Sequence, residues 1–502
     1  MGGLLVTKNT PADGVIAGME MCTHAPYKAH IAGYSPGSNV VQHNQVDLDQ
    51  KAIQDKVGAG KFADAKAIYM SGGVNTANGG YNSMSKGSAR TLKGFSTNAK
   101  ARMMDLPYHL GPYRTYLKFF DYYGDGDYAD KWVMAALDGT TYTPTNAGTT
   151  HAPGGAFSGM EAVARAEAVQ KGTAYQNVWM YAIREFEDAI DDCTTCTADC
   201  NEHSTNSGSV HAWDEGVAFY TGSLEGTAYG GSDDGKLLYR LAEKRCANFG
   251  TCGASGAGVT GTSKVNTELF KLFANGRDWL QQGRCSSVRP VVDAVVSLMT
   301  VPLVQGSLRY AYKNSNAARG ASAKNAAEGA TFSAAVLPLV HACSPEAATT
   351  ISANLKFGLY PDGATVDDSR YSNAGAVKAA FEDVYACLGI TCDMVGQLVD
   401  GGSASEYANI GNCPFQSALM AGYVPGSDVK AHSEIDLDQK AMEAALKAKN
   451  YTGATDAYAN GGNSVSKGKF RAPACGPVCR LGLAAARGPG RLGCAASGPG
   501  RP

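Results

Sequence analysis

A long-range internal repeat limits this chain more than any other feature. Residues 33–57 read GYSPGSNVVQHNQVDLDQKAIQDKV, and residues 422–446 read GYVPGSDVKAHSEIDLDQKAMEAAL. His43 falls on His432, an offset of 389 residues (432 − 43). The match continues through GGYNSMSKG (79–87) and GGNSVSKG (461–468) with a small deletion, and Cys22 and Cys413 precede the two copies at similar distances. A period this long lies far beyond solenoid repeats and implies tandem domains. The expected organisation is a partial N-terminal segment over 1–21, a module over 22–412, a truncated second copy over 413–470 and a tail over 471–502. The tail is rich in Gly, Ala, Pro, Arg and Cys and has no Asp, Glu or Lys, which reads as an aberrant translation of GC-rich sequence.

Cysteine usage points to an oxidising compartment. The chain has 14 Cys, several in short loops: Cys193, Cys196 and Cys200 in CTTCTADC, Cys246 and Cys252 in CANFGTC, Cys387 and Cys392 in CLGITC. Local pairs of this kind suit disulfides better than zinc thiolates, because CxxCxxxC has no second half and no HxxxH follows it. MGGLLVTKNT has neither a basic start nor a long apolar run, so a secretory leader is not visible. The conflict with the cysteines is resolved by expecting a missing N-terminus. The apolar run Val291–Val304 contains Asp293 and Pro302 and is too short to span a bilayer. With 44 Lys and Arg against 46 Asp and Glu, nothing in the charge favours nucleic acid.

Helical periodicity dominates. DLDQKAIQDKV, then GAGK, then FADAKAIYM predicts a short helical hairpin with an acidic start. Longer helices are predicted near 113–123, 128–137, 158–170, 176–192, 210–224, 235–247, 264–282, 288–313, 322–341, 346–356 and 374–387. Alternating strand patterns are scarce. The fold class expected is all-α, a large helical bundle with disulfide-tied loops.

Two of these helices carry apolar and acidic stripes. In NVWMYAIREFEDAIDDC, Trp179, Ile183, Phe186 and Ile190 share one side, with Tyr181, Glu185, Asp188 and Asp192 opposite. In HAWDEGVAFYTGSLEG, Trp213, Val217, Tyr220 and Leu224 form the apolar side, and HAWDE sets His211 one turn from Asp214 and Glu215. Two ordinary helices with solvated acidic faces would look the same. If instead the stripes meet across an open groove, Glu185, Asp188, His211, Asp214 and Glu215 are suitable metal ligands. Carboxylates and imidazole on facing helices hold iron in di-iron bundles.

Other motifs carry less. FDYYGDGDYADKW sets Asp121, Asp125, Gly126 and Asp127 like a calcium loop, but Trp132 stands where a bidentate Glu is needed, so the acids are expected to cap the next helix. Asp47 suits a cap or a site equally. His109 is a further candidate ligand. HExxH, GxSxG and Walker glycines are absent. One glycosylation sequon, Asn450-Tyr451-Thr452, agrees with secretion.

AWDEGVAFYTGSLEG followed by GKLLYRLAEKRCANFGTC, the VDLDQKAI hairpin with its NSMSKG, and QNVWMYAIREFEDAI together resemble a known family. It is the low-iron-inducible, high-CO2-responsive periplasmic iron-assimilating proteins of green algae. The resemblance spans most of 23–412 and again 413–470. It implies secretion to the periplasm or matrix, a role in capturing iron for uptake and no established enzymatic activity; the mechanism expected from the acidic stripes is an iron ion held in the groove and released to a membrane iron carrier or reductase. A structural or adhesive cell-surface protein fits the repeats and disulfides as well. A metal-dependent oxidase or hydrolase is the third class.

Overall fold

The computed structural model describes residues 30–72, 91–97, 111–195, 208–357, 373–399 and 435–461. The chain divides into two compact units, Met1–Cys413 and Pro414–Pro502. His109, Cys22, Cys413, His432 and the 471–502 tail lie outside the described residues.

The first unit is all-α. A turn α1 (Val41–Asn44) leads into the hairpin α2 (Val46–Gly58) and α3 (Phe62–Ser71). Then come α4 (Arg114–Tyr123), α5 (Tyr128–Asp138), the short α6 (Ala147–Thr150) and α7 (Ala162–Lys171). A π-helical stretch, Gly172–Val178, joins α7 to α8 (Trp179–Thr195) without a break. α9 (Ser209–Thr221), α10 (Leu238–Phe249), α11 (Lys264–Gln281), α12 (Cys285–Lys313), α13 (Ala323–Cys343), α14 (Pro345–Asn354), α15 (Ala374–Leu388) and α16 (Cys392–Val395) follow. The described strands are two residues each, Thr141–Tyr142 against Gly155–Ala156. The helix periods of the sequence therefore fell on real helices, mostly to within a few residues.

Local chemistry sets several boundaries. Ser344 accepts a hydrogen bond from the Ala347 amide while Pro345 occupies the first helical position, which separates α13 from α14. Asp125 and Asp127 do not cap α5 as expected. Asp127 sits at the N-cap with no side-chain capping bond. Asp125 instead accepts from Lys131, from Tyr142 Oη at 2.9 Å and from Thr145 Oγ1 at 2.9 Å, so it latches the loop before α5 to the strand pair.

The core is continuous and aromatic. Trp132, Trp179 and Trp213 are fully buried, and Phe186 meets Trp213 edge-on while stacking on Phe273. α12 and α13 are long and apolar enough to cross a membrane by length and composition, and 83% of that apolar window in each is buried inside the unit.

The disulfides are less local than the spacing suggested. Cys246–Cys252 closes a short loop. Cys387, however, pairs with Cys343 across 44 residues and not with Cys392, and Cys193 pairs with Cys285 across 92 residues. The reason is that the ends of α13 and α15, and of α8 and α12, converge in the bundle, with Cα–Cα separations of 5.9 and 5.6 Å. Cys196 and Cys200 lie outside the described residues. Closing a loop as long as Cys193–Cys285 stabilises by about 4.5 kcal/mol on chain-entropy grounds. The double variant Cys193→Ala, Cys285→Ala should lower the unfolding free energy by roughly that amount, read from guanidinium unfolding.

Candidate metal centre

Every residue of α9, from Ser209 to Thr221, is buried. A helix in that position that carries HAWDE puts an imidazole and two carboxyls into the core, and each then needs a partner. The solvated-face reading of this helix is overturned by its burial. The same holds on α8, where Glu185 and Asp188 are buried too. A helix enclosed on all sides has no water-facing stripe.

Residues 34–47 supply the partners. Tyr34 Oη donates to Asp214 Oδ1 at 2.6 Å, and Ser38 donates to Asp214 Oδ2 from its backbone N at 2.7 Å and its hydroxyl at 2.8 Å. Gly37 permits this close approach, since a Cβ there would lie 2.6 Å from Val210 Cγ1 and 2.9 Å from Gln281 Nε2. Burial raises the Asp214 carboxyl to about 6, against the lowering effect of the Tyr34 and Ser38 hydrogen bonds.

Next to this lies a cluster of three ligand types. His43, on α1, has Nε2 2.9 Å from Glu215 Oε1. His211 Nε2 lies 3.1 Å from the same oxygen. One ligand atom from each of His43, His211 and Glu215 falls within 4.8 Å of the others, and all three residues are buried. The two rings meet edge-on at 5.2 Å, and Phe219 packs on His43 at 6.0 Å.

With the Ser38 hydroxyl proton given to Asp214, Ser38 Oγ is an acceptor at His211 Nδ1, 3.0 Å away, and Nδ1 then carries the proton. In neutral His211 this turns the Nε2 lone pair toward Glu215, and His211 Nε2 has no hydrogen-bond partner. A lone pair facing a buried carboxylate is repulsive unless a proton or a cation lies between them. The donor set accordingly fits a metal ion, with Asp214 acting through Ser38 on the ring as an outer carboxylate.

Of the five residues singled out in the sequence, His211 and Glu215 converge with His43. Asp214 is one step removed, behind Ser38. Glu185 and Asp188 are both engaged by Arg184, whose Nη1 is 2.7 Å from Glu185 Oε1 and whose Nη2 is 3.0 Å from Asp188 Oδ2. Tyr113 also donates to Asp188. The arrangement is a buried cluster, not an open groove. His43 escaped the spacing argument because 168 residues separate it from His211 (211 − 43). Its one available signal is its recurrence as His432, which taken alone shows only shared ancestry. A separate cavity of about 470 Å³, lined by Tyr142, His151, Lys356 and Phe357 among others, includes none of these residues.

The segment is fixed at its far end by Asp47. Its carboxylate accepts from Ser223 Oγ and the Leu224 amide, both at 2.7 Å, just beyond the end of α9. It thus caps a neighbouring turn and not its own helix. Gly222 there has φ +86°, and a Cβ would come within 2.6 Å of Asp47 Oδ2. Glu225, in the same turn, accepts from the Ser232 amide at 2.8 Å. Burial raises Asp47 to about 6 and Glu225 to about 7. Both carboxyls hold protons more tightly when folded. Their contribution to stability is therefore present below about pH 4 and lost as pH rises through about 6 to 7. In metal-free protein the double variant Asp47→Asn, Glu225→Gln should flatten the fall of the thermal midpoint between about pH 4.5 and 7.5.

The family model described as Fea1, low iron-inducible periplasmic protein, matches residues 12–414. No curated protein and no solved structure matches the chain.

Proposed function

The chain belongs to the low iron-inducible periplasmic protein family, and on that premise we propose that it binds iron and assists high-affinity iron assimilation. Iron is its cargo. The observation that carries this reading is the buried His43, His211 and Glu215 cluster, with the His211 Nε2 lone pair turned into it. Two imidazoles and one carboxylate form the ligand set that suits ferrous iron with positions left open.

Charge supports the ferrous form. With neutral histidines the cluster brings one negative charge from Glu215, and ionised Asp214 brings a second through Ser38. A divalent ion then leaves the buried site near neutrality, whereas a trivalent ion leaves a surplus in a medium that penalises it. Glu185 and Asp188 are assigned a different task here, holding Arg184, whose guanidinium would repel a second cation beside them. Asp214 is a positioning residue: it orients Ser38 and hence the His211 tautomer. Protons compete with the ion for both rings, so affinity falls with pH and release to a membrane iron carrier or reductase is favoured where the medium is acidic.

Iron stoichiometry and affinity of the whole chain under anaerobic conditions test this. One ferrous ion per chain is expected. His43→Ala or His211→Ala should weaken binding by about a hundredfold or more, Asp214→Asn by about 10–100-fold, and Glu185→Gln by less than about threefold. Affinity should drop at least about tenfold from pH 7.5 to 5.5. Loss of iron in Glu185→Gln and not in His43→Ala would move the site onto α8. Absence of iron at neutral pH would favour a structural or adhesive cell-surface role.

A further inference from the structure

The second unit contains a hairpin that matches α2–α3 position for position. α17 (Ile435–Lys447) and α18 (Tyr451–Asn460) have 13 and 10 residues, as α2 and α3 do. Every boundary is displaced by the same 389 residues (435 − 46, 460 − 71). Both hairpins end on a glycine of positive φ, +60° at Gly72 and +56° at Gly461.

Their surroundings differ. In the first hairpin the apolar side is covered by α5, α7 and the turn at Ser223–Glu225. Val46 and Tyr69 are 0% exposed there; their counterparts Ile435 and Tyr458 are 62% and 82% exposed. Leu437, Leu446 and Tyr451 are exposed as well. A hairpin with such a face uncovered marks an interaction surface.

The polar residues say what fits that face. Buried side chains that anchor the first hairpin to its surroundings are Asp47 on Ser223 and Leu224, Gln50 on the Gln170 carbonyl at 2.9 Å, and Tyr69 on Asp130 at 3.1 Å. All three recur, as Asp436, Gln439 and Tyr458. The buried apolar positions Val46, Ile53, Val57 and Ala65 recur as Ile435, Met442, Leu446 and Ala454. The exposed ion pairs do not recur. Lys51–Asp55, Lys56–Asp64 and Lys66–Asp138 each lose at least one hairpin partner, to Ala444, to Ala445 and Gly453, and to Thr455. What the repeat keeps is the buried docking face, while the ion pairs of the water-facing side are not kept.

We propose that the 435–461 hairpin is a docking element that seats in the α2–α3 slot of a second copy of this chain. The resident hairpin is tethered to its slot and competes at a local concentration on the order of millimolar, so exchange is held back until the slot opens. The contacts on offer are the buried ones the resident hairpin makes, without Lys66–Asp138: two bonds accepted by the aspartate, one amide bond, one phenol bond and the apolar strip.

Sedimentation of the full chain across a concentration series tests the proposal. Gln50→Ala with Tyr69→Phe removes two resident anchors while sparing the apolar strip. This variant should self-associate at a concentration at least about tenfold lower than the parent chain. Adding Leu446→Asp and Tyr458→Asp, which spoil only the second hairpin, should return it to monomer with its helical circular dichroism unchanged. A monomer at every concentration in the Gln50→Ala, Tyr69→Phe variant overturns the proposal. So does association that survives Leu446→Asp and Tyr458→Asp.

Discussion

The structure turns on the burial of α9. Its sequence puts His211, Asp214 and Glu215 where no water can solvate them, and an unpaired carboxylate in such a place would cost several kcal/mol. The segment 34–47 exists in its observed course because it meets that demand. Tyr34 and Ser38 satisfy Asp214, His43 meets Glu215, and Asp47 pins the turn at the helix end. The segment 34–43, ahead of the α2–α3 hairpin, cannot leave without stranding the buried carboxyls of α9.

The two acidic helices resolve a comparable problem in different ways. On α8, Glu187 is satisfied by the Thr115 and Tyr116 amides at the start of α4 and by Arg289, while Glu185 and Asp188 share Arg184. Burial and its partners move Glu187 upward on balance, with desolvation the largest cause. Carboxylates on α8 are thus neutralised by guanidinium and helix amides, which are fixed positive partners. On α9, Asp214 takes the Tyr34 and Ser38 hydroxyls and the Ser38 amide, and Glu215 faces two imidazoles, which can donate a hydrogen bond or offer a lone pair.

The helices were legible because their periods are long and regular, and the all-α class follows from them. Two of the three cluster residues were legible for the same reason: HAWDE sets His211 and Glu215 four apart on one face. The rest was not. Periodicity shows an acidic stripe but cannot show that Arg184, one residue before Glu185, folds back over it. Sequence spacing treats Cys387 and Cys392 as neighbours, whereas bundle packing brings Cys343 closer. His43 depends on a contact across most of a domain. The polar residues that the repeat preserves between 34 and 47 (Tyr34, Ser38, His43, Asp47) are ones that reach α9 or the turn beyond it. A repeat compared residue by residue with what each side chain touches therefore carries tertiary information that neither copy carries alone.

At the proposed site, His43, His211 and Glu215 would give iron fewer protein ligands than it accepts, and the shortage would have a physical consequence. A closed shell of protein donors holds a metal as structure, while an incomplete one leaves positions to water or to small anions from the medium. Each open position lowers affinity and gives an acceptor a place to attack. Burial works the other way, because a desolvated ion binds its carboxylate more strongly and leaves more slowly. The His43, His211 and Glu215 arrangement combines the two: few ligands, deeply placed, with one ring held in its metal-ready tautomer by Ser38 and Asp214. Such a site takes its selectivity from charge balance and access more than from ligand count, and it can lose its ion by protonation of two imidazoles without any helix having to move.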